Sequence, residues 1–299
     1  MRKTRVKISP FAIIIFILLI LYTLTLFVPL IWGLNMSLKS NLEAVPYPLT
    51  ISWPPKFENY ATVFNEFYVP VQIYGDSGEV IGTNYYYIEN MLWFTFLYAV
   101  CCSFVNIAVV CVTAYITARY NFQICKIIDS IVIVAMILPI VGSMASELRI
   151  MRALGFYNSL PGMMVMKANF LGGTNFLIFN ATFKNMPRDF SEAAQIDGAS
   201  NLTVMLKVML PLAKTMFFTL WLLMFIQFWN DYQTPLLYFP EKPTLSYGLY
   251  RFTVATNGAG KELPIRIAAC FILMLPILII FLFTSEKLIG NVSMGGLKE

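Results

Sequence analysis

Few side chains in this sequence are equipped for chemistry. There is no histidine, which removes the imidazole that ordinarily serves as base, proton relay or zinc ligand. Serine, aspartate and glutamate occur, but without an imidazole the usual nucleophile and base arrangement is incomplete. Cys101, Cys102, Cys111, Cys125 and Cys270 lie in or beside apolar stretches without metal-ligand spacing. They read as small apolar fillers, and no structural disulfide follows from them. One stretch imitates a phosphate-binding loop: NGAGKEL at 257–263. A working loop needs G-x-x-x-x-G-K-[ST], so that backbone N–H groups cradle phosphates and a hydroxyl holds Mg²⁺. Here Ala255 stands at the first glycine position and Glu262 at the hydroxyl position. The residues predict no catalytic set, no metal, no cofactor and no ATPase within the chain.

Charge inside an apolar stretch is costly and tends to mark a transport pathway. Lys167 is the one clear case. It reads either as a pore-lining group that contacts substrate, an acidic sugar included, or as a lysine near a helix end whose ammonium snorkels out. In the second reading the span begins later, near Ala168. Asn230 and Asp231 close an apolar run; they form part of an outer gate or simply cap a helix end. Trp221, Phe225 and Trp229 recur every fourth residue, a stripe that suits sugar stacking and equally suits helix packing or lipid contact.

The most structured polar stretch is EAAQIDGASNLTVMLKVMLPLAK, residues 192–214. Pro187 suits a first helical turn, Asp189 and Glu192 put negative charge at a helix N-terminus, and Asp189 or Ser191 can cap it. Gly198 ends that helix, and Ser200 or Asn201 caps a second one running to Pro211 and the next apolar run. Ser191, Glu192 and Gln195 share one side of the first helix; Phe190, Ala193, Ala194 and Ile196 share the other. Such a knob is either a docking element or an ordinary interfacial hairpin.

The elements that must hold these residues are membrane spans. Of 299 residues, 58% are hydrophobic and 12% charged, with a mean hydropathy of +0.69, where a soluble chain carries roughly 25% charge. A bilayer core needs about 20 apolar residues per helix, and six windows qualify: 11–37, 91–118, 127–145 (kinked or ended near Pro139), 159–183 (interrupted by Pro161, Gly162 and Lys167), 209–230 and 267–284. The first exceeds the about 7 to 15 residues of a signal-peptide core and lacks a small-residue cleavage site, so it reads as a retained helix. Basic residues favour the cytoplasmic side. With residues 1–10 inside, six spans place twelve Lys and Arg inside against eight outside. The 38–90 loop, with six acidic residues, then lies outside, and both termini lie in the cytoplasm. This is an all-α fold of one six-helix domain, 11–299, in contact with membrane lipid and with no nucleic-acid partner.

The spacing of Glu192, Ala193, Ala194, Gly198, Val208, Leu210 and Pro211 resembles the signature loop of permease subunits of binding-protein-dependent ATP-binding-cassette (ABC) importers, with Val208 where isoleucine is usual. FWNDYQTPLLYF (228–239), LIGNVSMGGLKE (288–299) and LGFYNSLPGMMV (154–165) resemble the carbohydrate, maltose-type branch. The resemblance implies the type I importer permease fold in a bacterial cytoplasmic membrane, and a non-catalytic subunit forming half of a sugar pathway. Its implied partners are an ATPase dimer, a second homologous permease and an extracytoplasmic solute-binding protein. It further implies a coupling loop at 187–211, in which Glu192, Ala193, Ala194, Asp197, Gly198, Leu210 and Pro211 engage the ATPase. A cytoplasmic tail at 286–299 would reach the ATPase pair through Gly295 and Gly296. The reading from another class is a secondary transporter or channel that needs no ATPase.

Overall fold

A computed structural model describes residues 9–74, 77–138, 142–255 and 258–294, with side chains as far as 284 in the last stretch. In chain order the elements are α1 (Pro10–Ser37), α2 (Asn41–Ala44), α3 (Glu58–Glu66), β1 (Tyr68–Tyr74), β2 (Val80–Tyr87), α4 (Ile88–Arg119), α5 (Gln123–Ile137), α6 (Met144–Ala153), α7 (Leu160–Lys167) and α8 (Gly173–Asn185). They continue with α9 (Asp189–Ile196), α10 (Asn201–Val204), a π-helical turn (Met205–Met209), α11 (Leu210–Leu212), α12 (Lys214–Trp229), α13 (Gln233–Tyr238), α14 (Leu245–Thr253), a 3₁₀ turn (Ala259–Lys261) and α15 (Leu263–Met294). The chain divides into two compact units, Met1–Phe67 with Arg251–Met274, and Tyr68–Tyr250 with Leu275–Glu299.

In the first unit, α1 opens with Pro10 in its first turn, where the missing N–H costs nothing. Its apolar window is apolar on every side and none of it is buried, the pattern of a helix made for lipid or a partner helix rather than water. Past Ser37 the chain turns polar at once. Lys39, 1% exposed, donates from Nζ to the Tyr47 carbonyl and to Thr50 Oγ1, so its charge is solvated by chain oxygens. Asn59 Nδ2 closes the same turn on the carbonyls of Ser37 (2.7 Å) and Lys39 (2.9 Å).

The second unit begins with a hairpin, which corrects the all-α expectation. β1 and β2 pair antiparallel from Tyr68↔Tyr87 to Tyr74↔Val80. Their sequences, YVPVQIY and VIGTNYYY, are rich in β-branched and aromatic residues, the composition that packs well on a pleated surface. This local signal falls inside the 38–90 loop.

The post of this unit is α4, against which α7, α8 and α12 pack. Ile107, Val110, Ala114, Phe176, Phe179, Phe183 and Leu220 share one buried core. Three helices among the described residues are long and apolar enough to cross a membrane, Pro10–Ser37, Ile88–Arg119 and Leu263–Thr284, and a fourth joins them if the bent pair Asn201–Leu212 and Lys214–Trp229 counts as one. Of the six windows expected from the sequence, two of them expected to be kinked or interrupted, not all are present as single long helices among the described residues. The 127–145 window is helical to Ile137 and again from Met144, where α6 begins; Pro139 lies outside the described residues. The 159–183 window breaks into α7 and α8 because Gly172 and Gly173 take left-handed backbone, φ 49° and 51°, which ends a right-handed helix. Gly172 is doubly required, since a Cβ there would lie 2.5 Å from Val110 Cγ2. The 209–230 window loses its first turn to a 72° bend ahead of Lys214. In contrast α15 starts four residues ahead of the expected Ile267 and runs on to Met294, so the expected tail from 286 is helical. Gly295 and Gly296 lie outside the described residues.

Candidate functional site

The signature segment folds as a helix, a tight turn and a second helix. Asp189 and Glu192 do occupy the first turn of α9, but neither Asp189 nor Ser191 caps it: Arg188 holds the cap position, and Ser191 Oγ donates back to the Arg188 carbonyl at 2.7 Å. At the other end Gly198, φ +83°, completes a Schellman motif, with Ala199 N–H donating to the Ala194 carbonyl (2.9 Å) and Gly198 N–H to that of Gln195 (3.0 Å). Ser200 caps α10, accepting from Thr203 N–H at 3.3 Å. The π turn precedes Pro211, with Leu210 N–H reaching back to the Met205 carbonyl. A proline lacks the N–H that would continue the α ladder, and widening the turn before it absorbs the mismatch. Val204 and Met209 are buried in the core shared by α4, α8 and α12, so the segment is anchored to the apolar helices at its second half.

No residue of α9 is buried: Arg188, Glu192 and Gln195 are exposed, and so are the apolar Phe190 and Ile196, which amphipathicity would turn toward a core. Ile196 is 87% exposed and Phe190 49%. The polar side, Arg188, Ser191, Glu192 and Gln195, lines a cavity of about 160 Å³ with Tyr115, Arg119 and Tyr120 at the end of α4. Ala193, Asp197 and Pro211 are exposed, while Ala194 and Leu210 are half-buried.

A second cluster forms around Lys167. It is neither free nor snorkelling: Nζ lies 3.3 Å from Asp231 Oδ2, donates to Thr234 Oγ1 at 3.0 Å, and sits 5.2 Å from the Phe228 ring centroid. The Tyr98 hydroxyl, fully buried, donates to Asp231 Oδ2 at 2.9 Å. Asp231 Oδ1 accepts from Thr234 N–H at 3.0 Å, in the first turn of α13. Asn106 Nδ2 donates to the Lys167 carbonyl at 2.8 Å, holding the last turn of α7 on α4. An open cavity of about 470 Å³ adjoins, lined by Asn106, Lys167, Asn169, Phe170, Met224 and Phe228. Lys167 ends α7 and α8 begins at Gly173, so the later start considered for this span holds for its second helix only.

The structure thus brings Lys167 and Asp231 together and separates them from Asn230, which is exposed and folds its amide onto the Ile226 carbonyl at 2.9 Å. Tyr98, Asn106, Thr234 and Phe228 complete the cluster and were not singled out from sequence; Tyr98 and Asn106 within the uncharged 91–118 window were the available signal. The aromatic stripe packs: Phe225 and Trp229 are buried, with successive ring centroids 5.9 Å and 5.6 Å apart from Trp221 onward. Of NGAGKEL, Asn257 lies outside the described residues; Ala259–Lys261 forms the 3₁₀ turn, and Ala259 N–H donates to Glu66 Oε2 at 3.2 Å. Nearby in the chain to the Lys167 cluster, the Tyr238 hydroxyl donates to Glu147 Oε2 at 3.0 Å. Burial, and then the Glu147 carboxylate, push that phenol up to about 12.

The profile of the family described as "binding-protein-dependent transport system inner membrane component" matches residues 111–289. The chain is 26% identical over 273 residues to the sulfoquinovosyl glycerol transport system permease protein SmoH of Agrobacterium fabrum, covering 90% of this chain and 88% of that one. It is 24% identical over 288 residues to the diacetylchitobiose uptake system permease protein NgcG of Streptomyces coelicolor, covering 95% and 88%. In fold it is similar to a crystallised bacterial ABC transporter involved in import of the acidic polysaccharide alginate, with a TM-score of 0.71 at 21% identity, covering 96% of this chain and 99% of that chain.

Proposed function

The chain belongs to the family of binding-protein-dependent transport system inner membrane components, and from that premise we propose that it is the permease subunit of an ATP-driven importer for a sugar or oligosaccharide. It forms half of the translocation pathway beside a second, homologous permease, in a bacterial cytoplasmic membrane. A solute-binding protein delivers substrate from outside, and a separate ATPase pair supplies the energy. The chain crosses six times with both termini in the cytoplasm, the third and fourth crossings made of short helices joined by breaks. Two relatives, one named for sulfoquinovosyl glycerol transport and one for diacetylchitobiose uptake, support the substrate class.

The observation that carries this reading is α9. Its most exposed apolar residue, Ile196 at 87%, points away from the chain, while the following turn is locked by Gly198 and rooted in the core by Val204 and Met209. An apolar face displayed on a rigid stem fits a protein groove. When two ATPase subunits close on ATP, a helix held in that groove moves with them, and the stem passes the motion to α4, α8 and α12. Glu192 supplies a carboxylate for a basic residue of the ATPase, and the tail residues Gly295 and Gly296 contact the same partner. Lys167 and Asp231 border the substrate path, with Asn230 at its outer end.

The test is Glu192→Lys in the complete complex reconstituted in liposomes: ATP turnover should persist while sugar uptake falls at least tenfold. Wild-type uptake in that variant counts against the coupling role. Uptake by the purified chain alone, driven by an ion gradient, would establish a secondary transporter instead.

A further inference from the structure

The geometry points to a phosphate-binding site in the cavity between α9 and the end of α4, one that accepts the phosphate of a phospholipid headgroup or free phosphate. The cavity, about 160 Å³, is lined by Arg119 and Arg188 together with Tyr115, Ser191, Glu192 and Gln195. Neither arginine has a carboxylate partner: among the described residues the ion pairs are Lys167–Asp231 and Lys184–Asp129. Arg119 donates through Nη2 to the Met186 carbonyl at 3.0 Å, yet its Nε is buried with no hydrogen-bond partner. A buried donor left unmade is rare because it forfeits its hydration without return. With Glu192 on the same wall, the lining carries one net positive charge, which a single phosphodiester neutralises.

The chemistry of the donors selects the ligand. A guanidinium offers a planar fork that matches two phosphate oxygens at once. The volume holds several waters, hence a phosphate group, while the rest of a larger molecule must stay outside. The site lies at the end of a 32-residue apolar helix, the depth at which headgroups sit, with Tyr115 and Tyr120 packed edge-on beside it at 6.4 Å. Basic pockets at that depth take anionic headgroups, and tyrosine is enriched there. Occupancy would tie Arg188, the cap of α9, to the end of α4, bracing the helix from behind while its apolar side stays free.

The experiment is thermal unfolding of the purified full-length chain, with any co-purifying subunits, in detergent carrying phosphatidylglycerol, phosphatidylcholine, inorganic phosphate or sulfate at matched ionic strength. Phosphatidylglycerol should raise the midpoint, with an apparent affinity weakened at least tenfold in Arg188→Gln and in Arg119→Gln, and strengthened in Glu192→Gln. A shift from inorganic phosphate as large as that from phosphatidylglycerol identifies free phosphate as the ligand. Should Arg119→Gln lose the Met186 contact and misfold, Arg188→Gln carries the test alone, because among the described residues the Arg188 side chain has no hydrogen-bond partner. Equal shifts in wild type and Arg188→Gln, or no shift with any probe, overturn the proposal. The readout is binding rather than uptake, so it stands or falls separately from the transport function.

Discussion

At the scale of single residues, the pair most worth breaking is Lys167 and Asp231. Their side chains are 20% and 17% exposed, so each charge is largely removed from water and depends on the other. Removing one partner of a buried pair costs on the order of 3 kcal/mol, because the survivor is left uncompensated. Lys167→Met should leave Asp231 supported by Tyr98 and Thr234, whereas Asp231→Asn should strand an ammonium beside Phe228 and be the worse of the two. The double variant should recover at least about 1 kcal/mol relative to the sum of the singles in a thermal-unfolding cycle. Additive singles would mean that the two charges are uncoupled. The same cycle tests the substrate reading: a group that only braces structure should lower stability and leave the apparent affinity for sugar unchanged. Lys167 was legible in the sequence as a charge out of place, but its partner lies 64 residues on and Tyr98 looks like any aromatic in an apolar helix. Nothing local ties them.

At the scale of elements, two glycines make opposite predictions from the same backbone preference. Gly198 has φ +83° and open space around it, so Gly198→Ala should cost only the left-handed strain, about 1 kcal/mol, seen as a small drop in the unfolding midpoint. Gly172 has φ +49° and Val110 against it. Gly172→Ala should add overpacking of about 1–3 kcal/mol, and Val110→Ala in the same chain should relieve the clash but leave the strain. A Gly172→Ala loss no greater than that of Gly198→Ala would show that α8 does not press on α4 there. The helix pair around Gly198 was readable from sequence because its signals are adjacent in the chain: a carboxylate-rich first turn, a glycine, a serine cap and a proline. The break at Gly172 and Gly173 was not placed in advance, since glycine in an apolar window is tolerated in many helices and the requirement at Gly172 comes from Val110, 62 residues away.

At the scale of the whole molecule, the central prediction concerns which side of α9 meets a partner. If Ile196 and Phe190 enter a groove of an ATPase, Ile196→Asp should reduce ATPase co-purification several-fold without changing the amount of chain in the membrane. A cysteine at Ala193, which is exposed, should crosslink to that subunit from the cytoplasmic side only. Crosslinking from the exterior would overturn both the coupling role and the topology. The expected membrane class followed from composition alone, because a chain with this little charge cannot cover itself for water. The signature segment followed from short-range spacing, because caps and turns are decided within a few residues. What only the tertiary structure decided is long-range: that Phe190 and Ile196 of α9 stay exposed, that Lys167 is neutralised by Asp231, and that the 159–183 stretch breaks where Gly172 meets Val110. Each depends on which distant helix lies alongside, and packing against α4 outweighs the local hydrophobic pattern from which a sequence is read.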